Sequence, residues 1–386
     1  MDYININVTG DIFLGGRIES LTKENAASVF DHGLVDLFVK SQLNIVNLEG
    51  CLSDAGNEHC IIKNGPHIKA APNTIELLKV LKINLATLAN NHIYDFGSKG
   101  LADTLNTCAA HNISTVGAGL SLGDASKIFI KKIGDIKIGV LNIAENEEGV
   151  ANKSHGGANP MDVIANTRAL HEAKKLADIV ILIVHGGHEL YHYPSPRMVD
   201  QYHYYAEEGA SVIINHHSHC ISGYEMCGKV PVFYGLGNFL FDHATDFEAW
   251  YEGIVLSLKI NMNKDISWEI RPYKQCKNNV KVELLEGDEK IKVEKKIVSI
   301  NSIIAEYGLL EKKFDAFVSS QKDYILSMYS TSFVFKFYYL RALIRKLGLE
   351  RYFLRHEQLK SVLNYSNSES LRDIAIKVID NYIHNK

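Results

Sequence analysis

The chain lacks an apolar run long enough to cross a bilayer: its most hydrophobic stretch, TSFVFKFYYL, is short and broken by Lys336. Nor do its first residues read as a leader. MDYININVTGDIFLGG has no basic region followed by an apolar run and a small-residue cleavage site, so a cytoplasmic protein is expected. No excess of one charge is present, since 41 basic residues face 45 acidic ones for a net charge of -4. Such a chain has no broad field to gather nucleic acid or an anionic membrane, and any bound anion must be held by a local site. The six cysteines (Cys51, Cys60, Cys108, Cys220, Cys227 and Cys276) show neither zinc-ribbon nor CxxC spacing and are expected to be free thiols. Internal repeats and low-complexity segments are absent, and Gly117-Ala118-Gly119 lacks the spacing and lysine of a phosphate loop.

What is present is alternation. Short β-branched runs (YININVTG, NIVNLEG, IVILIVH, SVIIN, VPVFYGLG) are interleaved with segments of helical period (NTIELLKVLKI, KGLADTLNTCAAH, DVIANTRALHEAKKLA, PRMVDQYHYYAEEG), which predicts an α/β fold. IFIKKIGDIKIGVLNIA and GIVLSLKINMNKDISWEIRPY read as antiparallel hairpins, so the sheets should be mixed. At 386 residues there is room for a main domain over 1–285 and a mostly helical extension over 286–386. The basic, aromatic part of that extension, 336–355, is read as an amphipathic helix packed on the main domain, and the extension is the element through which a protein partner could dock.

In layered α/β proteins chemistry collects at the carboxyl ends of strands, where side chains leave the sheet. Here the strands run into Asp11, into Glu49, into Asn90, Asn91 and His92, into His185, and into His216, His217 and His219. One such residue would be unremarkable, a cap or a satisfied core histidine. Carboxylate, carboxamide and imidazole donors arriving together at one edge point to Mn, Fe or Zn.

The ordered motifs GDIFLGGR, NLEG, LANNHIYDFGSKGL, VHGGHELYHYPSP, INHHSH and VFYGLGNFLFD resemble the CapA family of capsule and poly-gamma-glutamate biosynthesis, a branch of the calcineurin-like metallophosphoesterases, over roughly residues 1 to 260. The resemblance implies a layered sandwich of mixed β-sheets flanked by helices, binding two divalent metals. Glu49 would bridge them, Asp11 and His219 would hold one, and Asn91, His185 and His217 the other. His92 would protonate the leaving oxygen, with Asp95 fixing its tautomer. The superfamily carries Asp-x-His at the first strand, whereas this chain has Asp11-Ile12-Phe13; the Asp11 metal is short of one nitrogen, for which His216 or His188 could substitute.

Around these residues, Arg17 is a candidate clamp for phosphate or carboxylate. His188, Glu189, His192 and Asn238 are further candidates for contact with a phosphorylated or polymer-derived small molecule. Three functions follow from this pattern: a phosphoesterase acting on a cell-surface polymer or its precursors, an amide hydrolase of gamma-glutamyl type, and a non-catalytic assembly subunit.

Overall fold

In the segment Ile179–His185, Ile179, Ile181 and Ile183 face one way and Val180, Leu182 and Val184 the other, and all six are buried. A strand apolar on both faces must be covered on both. The computed structural model, which describes residues 3–21, 28–329 and 356–384 together with Leu343, Lys346 and Leu347, meets that demand with two mixed sheets packed face to face and helices outside them. Apart from those three residues, the stretch 336–355 and TSFVFKFYYL lie outside the described residues.

The first sheet begins with β1 (Tyr3–Phe13), β2 (Leu43–Leu48), β3 (Leu85–Thr87) and β4 (Ser114–Val116), all parallel. The second contains β5 (Phe129–Ile133), β6 (Ile136–Ala144), β7 (Ile179–His185), β8 (Val212–His216), β9 (Tyr224–Cys227) and β10 (Val230–Phe233), in the spatial order β9-β10-β8-β7-β6-β5. The chain then returns to the first sheet as β11 (Asn238–Phe241), β12 (Glu252–Asn261), β13 (Ile266–Gln275) and β14 (Val282–Leu284), with β11 and β12 both paired to β1. Both expected hairpins are present, as β5/β6 and β12/β13.

Between the sheets lie Ile6, Val8, Ile45, Ile138, Ile181, Ile183, Ile214 and Leu256, all fully buried. Each contributes about 1.5–3 kcal/mol by leaving water. Helices α1 (His32–Val39) and α2 (Gly97–Ala110) cover the outer face of the first sheet through Leu34, Phe38, Leu101 and Cys108. Helices α3 (Val163–Leu176) and α4 (Pro196–Glu208) cover the second through Leu170, Tyr202 and Tyr205. Their boundaries follow from local chemistry. Asp162 accepts from the Ala165 amide, Ser195 accepts from the Met198 amide ahead of Pro196, and Gly209 ends α4 at φ +125.

Two expected elements differ. NTIELLKVLKI forms a 3-10 turn, Pro72–Ile75, and a short helix, Glu76–Val80, ended where Lys82 turns left-handed at φ 47. VPVFYGLG is a strand only over Val230–Phe233; its Gly237, at φ +77, then lets the chain cross to the other sheet, where Asn238–Phe241 forms the next strand.

Beyond Gly287 the described chain is helical: α5 (Gly287–Ile304), α6 (Tyr307–Tyr329), α7 (His356–Asn367) and α8 (Glu369–His384). The last three share a small core of Phe314, Val318, Ile325, Tyr365, Ile374 and Val378. Among the described residues no helix is long and apolar enough to cross a membrane.

Candidate metal centre

β1 and β2 run parallel and place Asp11 opposite Asn47, with the register shifting on both sides of Asp11. Bulges of this kind re-aim side chains beside functional sites. Gly10 is required here: a Cβ on it would lie 1.8 Å from the Gly237 carbonyl oxygen, which accepts the Asp11 amide at 3.1 Å. That close approach brings Asn238 alongside, with its Oδ1 2.9 Å from His219 Nδ1.

From the facing sheet, β7 ends on His185 and β8 on His216. The chain then turns through two left-handed residues, His217 (φ 90) and His219 (φ 53). Non-glycine residues held there cost roughly 1–3 kcal/mol each and persist only where the surroundings enforce them. The enforcing contacts cross between the sheets. The His217 amide donates to Asp11 Oδ2 at 3.1 Å, His216 Nδ1 lies 3.0 Å from Asp11 Oδ1, and Asn47 Nδ2 donates to Asp11 Oδ1 at 2.8 Å while lying 3.2 Å from His185 Nδ1.

Donor atoms converge at this seam. His185 Nε2 lies 3.1 Å from both Asn91 Oδ1 and His217 Nδ1. Single ligand atoms of Asp11, Glu49 and His185 all fall within 4.8 Å of one another. Both carboxylate oxygens of Glu49 are buried without a hydrogen bond among the described residues; His219 Nε2 lies 3.8 Å and His92 Nε2 4.0 Å from its Oε1. Burial, and then the neighbouring Asp11, push the Glu49 carboxyl well above its usual range. Burial acts on Asp11 in the same sense but is outweighed by His216, His185 and His219, which hold it well below the ordinary range. Burial and then His217 keep His185 neutral. An unpartnered buried carboxylate among imidazole and carboxylate donors fits a cation. The nitrogen and oxygen donors suit Mn, Fe or Zn.

His92 stands at the rim. Its Nδ1 is 2.8 Å from Asp95 Oδ2, and the other carboxylate oxygen accepts from Lys63 Nζ at 2.6 Å. The Ile68 amide also donates to Asp95, at 2.8 Å. Burial is the largest influence on Asp95, but His92 and Lys63 outweigh it and keep the carboxyl ionised; burial lowers the proton affinity of His92 against the pull of Asp95. Lys63, whose side chain is 4% exposed, was not legible as a site residue in the sequence. Nor was Glu147, whose Oε1 lies 3.7 Å from His217 Nε2 and whose carboxyl is pushed up to about 8 by burial and then by Glu189 and Glu145.

A cavity of about 570 Å³ opens in front of these groups, lined by Lys63, Asn91, His92, Glu147, Glu189 and His217 among others. His188 and Glu189 both line it, and Glu189 is kept ionised by His217, His219 and His92 against its burial. Three of the expected substrate contacts stand away from the cavity or are engaged elsewhere. Arg17 is no free clamp: its guanidinium is taken up by Asp242 at 2.7–3.1 Å and by the Asn278 and Cys276 carbonyls at 3.1 and 3.0 Å, because Asp242 at the end of β11 folds back onto it. His192 Nδ1 faces the Ile221 carbonyl at 3.0 Å and does not line the cavity. Asn238 is spent on His219 and does not line it either. Of the two stand-ins for the missing nitrogen at Phe13, His216 lies against Asp11, whereas His188 packs among Phe314, Phe317 and Tyr191. Phe13 itself packs on Phe241, ring centroids 5.2 Å apart.

Two abutting mixed sheets with a histidine and carboxylate seam at their strand ends define a layered α/β protein with a cluster of potential metal-ligating groups between them. Residues 5–243 match the model of the bacterial capsule synthesis protein family PGA_cap, and the chain belongs to that family. It is 31% identical over 244 residues to the PGA biosynthesis protein CapA of Bacillus subtilis, covering 62% of this chain and 64% of that protein. The capsule biosynthesis protein CapA of Bacillus anthracis is 28% identical over 249 residues, covering 62% of this chain and 60% of its own length. The chain thus spans less than two thirds of these relatives. Among solved structures, the NAD nucleotidase NadN of Haemophilus influenzae aligns with a TM-score of 0.40 at 14% identity, over 81% of this chain and 68% of that one.

Proposed function

We propose that this protein is a metal-dependent phosphoesterase acting on a precursor or product of capsule or other cell-surface polymer synthesis. The observation that carries this reading is the pairing of an unpartnered buried carboxylate, Glu49, with an oriented imidazole, His92, at the mouth of one cavity. Asp11, His216 and His219 with Glu49 would hold one divalent cation, and Asn91, His185 and His217 with Glu49 a second. Such ions supply Lewis-acid polarisation of phosphoryl oxygens and of the attacking water.

The remaining work belongs to the chain. With Nδ1 facing Asp95, Nε2 faces the Glu49 side of the cavity, where the imidazole, once it has taken up a second proton from bulk water, can hand that proton to a departing oxygen. Lys63, by pairing with Asp95, fixes that carboxylate and raises the acidity of the imidazole. The names of the capsule-synthesis relatives support the link to polymer synthesis. The test is elemental analysis of the purified protein alongside hydrolysis of p-nitrophenyl phosphate, its bis ester and a gamma-glutamyl anilide, with and without manganese. Two bound metals and ester turnover that falls at least ~100-fold in His92→Ala are expected. Turnover of the anilide alone would replace the reading with amide hydrolysis, and no turnover of any substrate would leave an assembly subunit.

A further inference from the structure

Asn238 is fully buried at the start of β11, and its short amide reaches both ends of one residue, His219. Its Oδ1 lies 2.9 Å from the ring nitrogen Nδ1 of His219, and its Nδ2 lies 3.4 Å from the His219 carbonyl oxygen and 3.4 Å from that of Trp250. Carbonyl oxygens only accept, so the amide nitrogen must face them and Oδ1 must face the ring. Oδ1 in turn only accepts. The ring nitrogen it meets therefore carries the hydrogen. Asp11 Oδ2, a second acceptor, lies 3.6 Å from the same nitrogen.

With Nδ1 protonated, a neutral His219 keeps its lone pair on Nε2. That nitrogen lies 3.8 Å from Glu49 Oε1, on the carboxylate that has no hydrogen bond among the described residues. Two aromatic rings hold the imidazole in this pose: Trp250, with centroids 4.7 Å apart, and Phe241, edge-on at 5.3 Å. The place of Asn238 is imposed by strand pairing. It stands opposite Asp11 in the register of β1 with β11, on the close approach of Gly10 to the Gly237 carbonyl.

We infer that Asn238 is a positioning residue: by fixing His219 with its hydrogen on Nδ1, it presents Nε2 as a ready ligand for a cation shared with Glu49. Outer partners of a ligating imidazole set metal affinity by roughly 10–100-fold. The role weighs more in this chain, where the first strand offers Phe13 and no nitrogen beside Asp11. The inference rests on the metal-dependent reading, but its first readout is made on metal-free protein. Full-length protein with nitrogen-labelled histidine is stripped with a chelator, and long-range proton–nitrogen correlation spectra are recorded at pH ~8, above the ordinary imidazole range. The signals missing from His219→Gln identify the residue.

His219 of the unaltered protein shows a protonated Nδ1 and a bare Nε2; Asn238→Asp keeps that pattern because the acceptor survives, and Asn238→Leu loses it. Calorimetric titration with manganese and with zinc gives a Kd that rises at least ~10-fold in Asn238→Leu and less than ~3-fold in Asn238→Asp. Thermal melting checks that the variants fold, and Asn238→Ala replaces the leucine variant if that one does not. A hydrogen on Nε2 in the unaltered metal-free chain, a Kd unchanged by the leucine exchange, or an equal rise in both variants overturns this inference alone. Metal uptake without ester turnover overturns the phosphoesterase reading alone. Failure of the unaltered protein to bind either metal overturns both.

Discussion

Replacing Glu145 should release the C-terminal helices from the body of the protein. Glu145 follows β6, is 3% exposed, and accepts from Arg197 Nη2 at 3.0 Å, Ser370 Oγ at 2.6 Å, the Ser370 amide at 3.2 Å and Ser368 Oγ at 3.4 Å. Arg197 in turn reaches Asp373 at 2.5 Å and Gln201 at 2.7 Å. The carboxylate therefore serves as ion-pair partner to a largely buried guanidinium and as the anion at the N-terminus of α8. Truncating one member of a buried pair costs about 3–5 kcal/mol, chiefly through the charge left behind. The lost anion at a helix N-terminus lies within that figure, at ~0.3–1 kcal/mol. Asp373 remains to hold part of the Arg197 charge, so Glu145→Ala should cost about 3 kcal/mol. Urea unfolding followed by fluorescence gives the total, and hydrogen exchange locates it: amides of α7 and α8 should lose protection while β7 and β8 keep theirs. A loss below about 1 kcal/mol, or unchanged protection in α8, would refute the idea that this knot holds the helices in place.

Other outcomes follow from the same structure. Burial raises the Glu145 carboxyl, but Arg197 and Ser370 outweigh it and set it below its ordinary value of 4.5; Asp95 is likewise held low. Each contributes stability that is complete above the unfolded value and disappears as pH falls through the folded one, so urea midpoints should fall below pH ~4.5, less steeply in Glu145→Gln. Asp95→Asn should reduce ester turnover roughly 10–100-fold through loss of imidazole orientation, with metal content unchanged by elemental analysis. Gly10→Ala forces a methyl into the Gly237 carbonyl and should abolish soluble expression or separate β11 from β1, seen as loss of exchange protection at Asp11.

The gathering of donor side chains at strand ends was legible because each is a local event: an apolar run stops and a donor begins, as at Val184 to His185. The mixed strand directions were legible in the two hairpins, whereas the layered sandwich came from the family resemblance. Long-range partners were not. Lys63 meets Asp95 across 32 residues and Arg17 meets Asp242 across 225, and nothing in either neighbourhood announces the pairing. Glu147 sits in a loop beyond β6, where no periodicity marks it. The share of the cavity lining that α6 supplies was hidden for another reason: Phe317 and Tyr324 lie seven positions apart on that helix, a spacing that reads as ordinary helix packing until the fold brings it to the cavity that His92 lines.

Under the proposed metal-binding reading, the burial of Glu49 has a thermodynamic consequence. A carboxyl held well above its usual range keeps a proton into conditions where an ordinary glutamate has lost it, and a cation can use both oxygens only after that proton leaves. Metal uptake and proton release are then one event. The calorimetric heat of manganese binding should change with the ionisation enthalpy of the buffer, and the apparent affinity should climb with rising pH until Glu49 is ionised in the metal-free chain.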